Sequence, residues 1–311
     1  MLKFRWWSFL LLLLLGAGCG SALDAARRDV PAYTRSSEHY RSLADAEALS
    51  AYLRAGSDAG PLVSAHRGGP MPGYPENALA TFEHTLRYAP ALLECDVRRS
   101  RDGALVLMHD ETLERTSTGS GLVRDHTLDE LRALLLKDGR GVTTPFRIPT
   151  LAEALAWAEG RAVLTLDAKD DVPPRDLVAA IRRMRAANRV VLITYTLDRL
   201  LTYHRLAPEM MISATVETPA DLEALLTSGV DRSRIIAFTG VGEVHPEVIE
   251  GLHAHGIRAM LGTFGEIDGR AAHAGPVVYR ALLDRGVDVI ATDNVPLAAR
   301  AVESYAMLPT Q

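Results

Sequence analysis

Two histidines, three carboxylates and two cations stand in short motifs suited to proton transfer at an anionic centre. His66 and Arg67 follow an apolar run in Ser64-Ala65-His66-Arg67-Gly68-Gly69, and Glu94 and Asp96 lie two apart in Glu94-Cys95-Asp96-Val97. His109-Asp110 closes a third run, and Asp167-Ala168-Lys169 closes a fourth. Carboxylates brought together repel and raise each other's pKa, a cost that a divalent cation removes. An all-oxygen set suits Mg²⁺ or Ca²⁺ better than Zn²⁺, so Glu94, Asp96 and Asp167 are the expected metal ligands. His66 and His109 then remain free as an acid/base pair near neutral pH. Arg67 and Lys169 suit the non-bridging oxygens of a phosphate, the Arg through its planar fork. Such a site fits an anionic, phosphorane-like transition state. Taken singly, each residue has an ordinary reading as a core histidine, a polar strand edge or a salt-bridge partner. Their joint placement carries the assignment. His84, His126, His204, His245, His253, His255 and His273 match no such pattern and are expected on the solvated surface.

The elements that must position these residues alternate between short apolar runs and helical periodicity, which predicts parallel strands joined by helices. Candidate strands are Leu62–His66, Ala91–Val97, Ala104–His109, Ala162–Asp167, Val190–Thr194, Met210–Thr215, Arg234–Thr239, Ile257–Gly262 and Val287–Thr292. Helical spacing appears in Thr81–Tyr88, Leu151–Ala158, Asp176–Arg185, Ala220–Thr227, Pro246–His255 and Val277–Asp284. Only Arg98–Gly103 separates the second and third strands, too little chain for a parallel crossover. With Asp102-Gly103 as a turn, Ala104–His109 is expected to return antiparallel. Eight parallel strands remain, as in a TIM (β/α)8 barrel with a small insertion after the second strand region. That insertion, about 110–150, is rich in Thr, Ser and Gly, with one short helical piece near Leu128–Leu136. Residues at strand C-termini of such a barrel gather at one mouth, which would bring the four motifs together. Glu94 and Asp96 share one strand face, and Cys95 points the other way.

Before the barrel, Lys3 and Arg5 precede an apolar stretch, Trp6–Leu15, too short to span a bilayer, and then Gly16-Ala17-Gly18-Cys19. This resembles a bacterial lipoprotein signal over residues 1–19, with Cys19 as the lipidated thiol. It departs at Gly16, where such signals carry an aliphatic residue, so ordinary secretory cleavage nearby is the alternative. Residues 20–60 read as a tether followed by an amphipathic stretch, Leu43–Leu53, and the barrel is expected over 61–305. The expected location is exported, periplasmic or cell-envelope, with membrane attachment through the lipid. Gly20, rather than Asp, leans toward the outer membrane in a Gram-negative cell. With 48% hydrophobic and 23% charged residues, a chain of 311 residues can bury a full core unaided. The formal net charge of −5 argues against general nucleic-acid binding. Cys19 and Cys95 are the only cysteines, so lipidation of the first precludes an internal disulfide.

Several motifs in order resemble the glycerophosphodiester phosphodiesterase family. They are Ala65-His66-Arg67-Gly68, Pro75-Glu76-Asn77, Glu94-Cys95-Asp96-Val97, Asp102-Gly103, His109-Asp110, Leu113-Glu114-Arg115-Thr116, Gly119-Ser120-Gly121 and Ile148-Pro149-Thr150-Leu151. The resemblance covers about 62–300, densest up to 169. It implies a TIM barrel, Mg²⁺ or Ca²⁺ dependence, and hydrolysis of a small glycerophosphodiester to glycerol phosphate and an alcohol. It also implies His66 and His109 as catalytic, Arg67 as phosphate-binding, and Glu94 and Asp96 as metal ligands. Glu76 would be a substrate contact or lie just behind one. Two departures touch the pocket. Asp167 stands where relatives usually carry a longer Glu, and Met260-Leu261-Gly262-Thr263-Phe264 replaces a Trp-Thr pair. Competing readings are phospholipase C- or D-like cleavage of larger lipids, and a catalytically silent surface lipoprotein that binds phosphodiesters.

Overall fold

The structure, a computed structural model, describes residues 39–306; Cys19 and the leader lie outside them. The elements run α1 (Ala46–Tyr52), β1 (Leu62–Ala65), α2 (Leu79–Thr85), β2 (Ala91–Arg99), β3 (Leu105–Leu107), α3 (Leu128–Ala133), β4 (Leu135–Lys137), β5 (Thr143–Arg147), α4 (Leu151–Ala158), β6 (Val163–Ala168), α5 (Pro174–Arg183) and β7 (Val190–Thr194). They continue with α6 (Leu197–Leu206), β8 (Met211–Thr215), α7 (Pro219–Thr227), β9 (Ile235–Val241), α8 (Pro246–His253), β10 (Ala259–Gly262), α9 (Glu266–Ala274), α10 (Val277–Leu283), β11 (Val289–Thr292) and α11 (Val295–Ala306).

Eight strands pair in parallel in the order β1-β11-β10-β9-β8-β7-β6-β2, and β2 returns to β1 to close the barrel. The TIM-barrel expectation holds. β1 stops at Ala65 opposite Leu93, so the rest of β2 is free on that edge. There β3 pairs antiparallel, Val97 opposite Leu107 and Arg99 opposite Leu105, as the short connection requires. On its other edge β2 pairs with β6 in a register that sets Asp96 opposite Asp167.

The pleat sorts side chains into two cores. Val63, Leu93, Cys95, Leu164, Leu192 and Ile212 face the helical layer, whereas Leu62, Leu92, Val163, Val191, Met211, Ile236 and Val289 fill the barrel floor. Leu49 and Leu53 of the α1 region complete the floor and are fully buried. Arg258 bolts this segment down, donating to Arg54 O at 2.9 Å, Gly60 O at 2.6 Å and Ser57 Oγ at 2.6 Å.

The insertion has its own small core, including Met108, Leu113, Val123, Leu131, Leu136 and Ile148. Its helix ends at Ala133, because Leu135–Lys137 pairs with Thr143–Arg147 as a two-stranded hairpin that the sequence reading did not anticipate. Helices α6, α9 and α11 were also not anticipated. The start of α4 is pinned by a capping box, Thr150 Oγ1 accepting from Glu153 N at 3.1 Å while Glu153 accepts from Thr150 N at 2.7 Å.

Candidate active site

After β1 the chain turns sharply through His66, Arg67, Gly68 and Gly69. Arg67 takes φ 49° and ψ 30°, a left-handed conformation that costs a non-glycine residue about 1–2 kcal/mol. Its backbone is locked on both sides: its N–H donates to Glu94 Oε2 at 2.6 Å, and its C=O accepts from Asn77 N at 2.9 Å. The glycines are obligatory for packing as well as for φ. A Cβ on Gly68 would meet the Phe82 ring at 2.2 Å, and one on Gly69 would meet Thr85 Oγ1 at 2.7 Å.

The three carboxylates predicted from strand spacing do converge. Glu94, Asp96 and Asp167 each offer an oxygen within 4.8 Å of the others. Asn77, itself at φ 57°, binds Asp96 twice: Nδ2 donates to Oδ2 at 2.8 Å, and Oδ1 accepts from Asp96 N at 2.9 Å. Lys169 Nζ bridges Asp96 Oδ1 at 2.6 Å and Asp167 Oδ2 at 2.5 Å. Tyr195 donates its hydroxyl to the same Asp167 oxygen at 2.9 Å. Burial, then the Asp96 charge, pushes the Glu94 carboxyl well above its usual range. Burial acts on Asp96 in the same sense, but Lys169 outweighs it and holds Asp96 low. Burial opposes the charge on Lys169 too, and Asp96 and Asp167 overcome it. The donor set is oxygen-rich, crowded and net negative, which fits Mg²⁺ or Ca²⁺. Thr165 Oγ1 and Arg67 Nε are buried with no hydrogen-bond partner among the described residues, and Thr165 lines the cavity beside these carboxylates.

Both predicted histidines line that cavity, and each is anchored through Nδ1. His66 Nδ1 lies 2.7 Å from Asp293 Oδ1, and His109 Nδ1 lies 2.7 Å from Asp110 Oδ1. A carboxylate on Nδ1 makes that nitrogen the proton-bearing one and leaves Nε2 for chemistry. Asp293 is in turn set by buried Asp268, which accepts from Asp293 N, Thr263 Oγ1, Tyr279 OH and Thr292 Oγ1 at 2.6–2.8 Å. Arg115 holds Asp110 well below the usual carboxylate range. Glu76 has both oxygens committed: Arg115 donates to them at 2.8 Å, and Arg67 Nη1 sits 3.3 Å from each.

The cavity measures about 260 Å³ and is two-sided: carboxylates, histidines and Lys169 on one flank, Phe238, Val241, Met260 and Phe264 on the other. The Phe264 ring lies 4.2 Å from that of His66. A wider groove of about 860 Å³ shares Asp167, Lys169 and Tyr195 with it and continues past Arg98, Arg124 and Arg199. His66, Arg67, Glu94, Asp96, His109, Asp167, Lys169 and Glu76 therefore meet at one mouth. Sequence reasoning missed Tyr195 and gave Asp293 no role beyond closing the final strand, although each directly follows a strand end. It also gave no role to Asp268, whose short helix is largely polar and interrupted by Gly269, or to Arg115, which it noted only as part of a motif.

The architecture is a (β/α)8 barrel with its polar groups at the carboxyl ends of the strands. The Glycerophosphoryl diester phosphodiesterase family matches residues 66–297; the chain belongs to that family and is a phosphoric diester hydrolase. It resembles the crystal structure of a glycerophosphoryl diester phosphodiesterase from Parabacteroides distasonis ATCC 8503, with 35% identity, a TM-score of 0.79, and coverage of 88% of this chain and 95% of that one. A glycerophosphodiester phosphodiesterase of Caldanaerobacter subterraneus subsp. tengcongensis is 27% identical over 241 residues, covering 75% of this chain and 94% of that protein. An Oleispira antarctica phosphodiesterase, solved in complex with the product sn-glycerol-3-phosphate, shares the fold at 21% identity, a TM-score of 0.60, and coverage of 79% and 97%.

Proposed function

We propose that this hydrolase cleaves glycerophosphodiesters to glycerol phosphate and an alcohol, with Mg²⁺ or Ca²⁺ held by Glu94, Asp96 and Asp167. The observation that carries the reading is the carboxylate trio, its oxygens within 4.8 Å, beside two histidines each anchored by its own aspartate. Bound there, a divalent cation would polarise a phosphoryl oxygen and offset developing negative charge. Arg67 and Lys169 grip non-bridging oxygens. One histidine accepts at Nε2 the proton of the attacking hydroxyl as its oxygen bonds to phosphorus. The other donates its Nε2 proton to the departing alkoxide as the old phosphorus–oxygen bond breaks. The attacking hydroxyl is the substrate's own glycerol 2-hydroxyl, with water opening the cyclic product through the same pair. The Oleispira protein's bound product agrees with glycerol phosphate as the end point.

The leader motif supports export and lipid attachment at Cys19 to the cell envelope. In that reading Cys19→Ala abolishes palmitate labelling and releases the protein from membranes; an unlabelled wild type refutes it.

Phosphorus NMR of glycerophosphocholine tests the reaction. Glycerol phosphate should appear with Mg²⁺ or Ca²⁺ and stop with chelator. His66→Ala and His109→Ala should each slow turnover by about 10²–10⁴-fold at unchanged melting temperature. Chelator-resistant turnover, or phosphocholine as product, sinks the proposal.

A further inference from the structure

Beyond the histidines and the cation site, one side chain of the insertion touches both halves of the catalytic constellation. Arg115 donates from Nε to Asp110 Oδ2 at 2.5 Å and from Nη2 to Asp110 Oδ1 at 2.8 Å. Its Nη1 and Nη2 also donate to the two Glu76 oxygens, each at 2.8 Å. A single guanidinium thus presents two forks, one to the carboxylate that holds His109 and one to the carboxylate that holds Arg67. Every nitrogen of Arg115 is engaged, so it is not poised to grip a substrate itself. Its backbone is fixed although its side chain is half exposed, because Leu113, Thr116 and Ser117 around it are buried and Ser117 Oγ ties back to Leu113 O at 2.7 Å.

We infer that Arg115 is a positioning residue that sets the His109 ring through Asp110 and the Arg67 fork through Glu76, making the insertion part of the catalytic machinery. Two roles follow from its two forks. Fixing Asp110 keeps the His109 proton on Nδ1 and Nε2 free. Fixing Glu76 keeps Arg67 aimed without drawing it wholly into an ion pair, because the stronger contacts to Glu76 come from Arg115. Lysine cannot replace it, since a point charge cannot fork two carboxylates at once.

The inference rests on the proposed hydrolysis, so its test has arms with and without turnover. With glycerophosphocholine, Asp110→Asn should act mainly on kcat and Glu76→Gln mainly on KM. Arg115→Gln should change both, lowering kcat/KM by about 10- to 100-fold. Pairing Arg115→Gln with Asp110→Asn should cost no more in kcat than the worse single change. Arg115→Lys should keep the wild-type melting temperature and recover only part of kcat/KM. Without turnover, inorganic phosphate should bind Arg115→Gln and Glu76→Gln more weakly by a similar factor. The imidazole ¹⁵N shifts of His109 should move from the Nδ1–H form toward a mixture in Arg115→Gln. Additive effects in that pair, or lost stability with unchanged phosphate affinity and His109 shifts, overturn the inference. If the wild type leaves the diester intact, the hydrolytic reading fails, and these last two measurements still decide the role of Arg115.

Discussion

Asp167 is one methylene shorter than the glutamate expected at its position, yet its carboxylate still reaches the other two. Strand register puts its Cα directly opposite that of Asp96, and Lys169 and Tyr195 both hold its Oδ2. Tyr195 is well exposed overall, but burial around its hydroxyl and then the Asp167 charge keep that hydroxyl protonated and donating. Tyr195→Phe should therefore loosen Asp167 and weaken Mg²⁺ or Ca²⁺ binding by about 10- to 100-fold, as read by calorimetry, with the melting temperature unchanged. Equal affinity in the variant would show that Asp167 needs no such support. At this scale the sequence was legible where chemistry sits at strand ends: His66, Glu94, Asp96 and Asp167 are placed by a period of two and a common mouth. Tyr195 and Asp293 also follow strand ends but stand in no such motif, and Asp268 lies in a helix; their partners are chosen by how loops pack, which no spacing rule expresses.

The inserted hairpin depends on Asp138 in the turn between β4 and β5. Its Oδ2 accepts from Gly73 N at 2.8 Å, and its Oδ1 accepts from Arg140 N and Val142 N at 3.0 Å. Led by the Gly73 contact, these bonds pull its carboxyl from an ordinary 3.8 down to about 2. A depressed carboxyl stabilises the fold above its unfolded pKa and loses that contribution as pH falls through the folded one. Thermal melts from pH 7 downward should show wild type losing, between about pH 4 and pH 2, stability that Asp138→Asn already lacks at pH 7. Parallel melting curves for the two proteins would remove Asp138 from this role. The hairpin escaped the sequence reading for physical reasons: Pro145 sits inside β5, three of its five residues are exposed, and Leu134–Leu136 reads as more helix. α9 was hidden similarly, since Glu266–Ala274 is polar and interrupted by Gly269. The barrel strands were legible because each is a short apolar run closed by a polar or glycine residue.

Across the molecule, the mouth that carries the polar chemistry is separated from a floor that carries only stability. Leu49 is fully buried there against the inward strand residues. Leu49→Ala should cost about 2–5 kcal/mol, lowering the denaturation midpoint while kcat and KM stay at wild-type values. A kinetic change of comparable size would mean that the floor and the mouth are coupled. The eight-strand count was legible in the sequence because Arg98–Gly103 is too short for a crossover; the plugging of the floor was not, since Arg258 and the carbonyls it binds are some 200 residues apart. The floor is also where the chain enters the domain: Arg41 N donates to Arg161 O just before β6, and Asn188 Nδ2 to Leu43 O just before β7. The described chain therefore joins the barrel at the end opposite the reactive opening, which leaves the mouth clear of that segment.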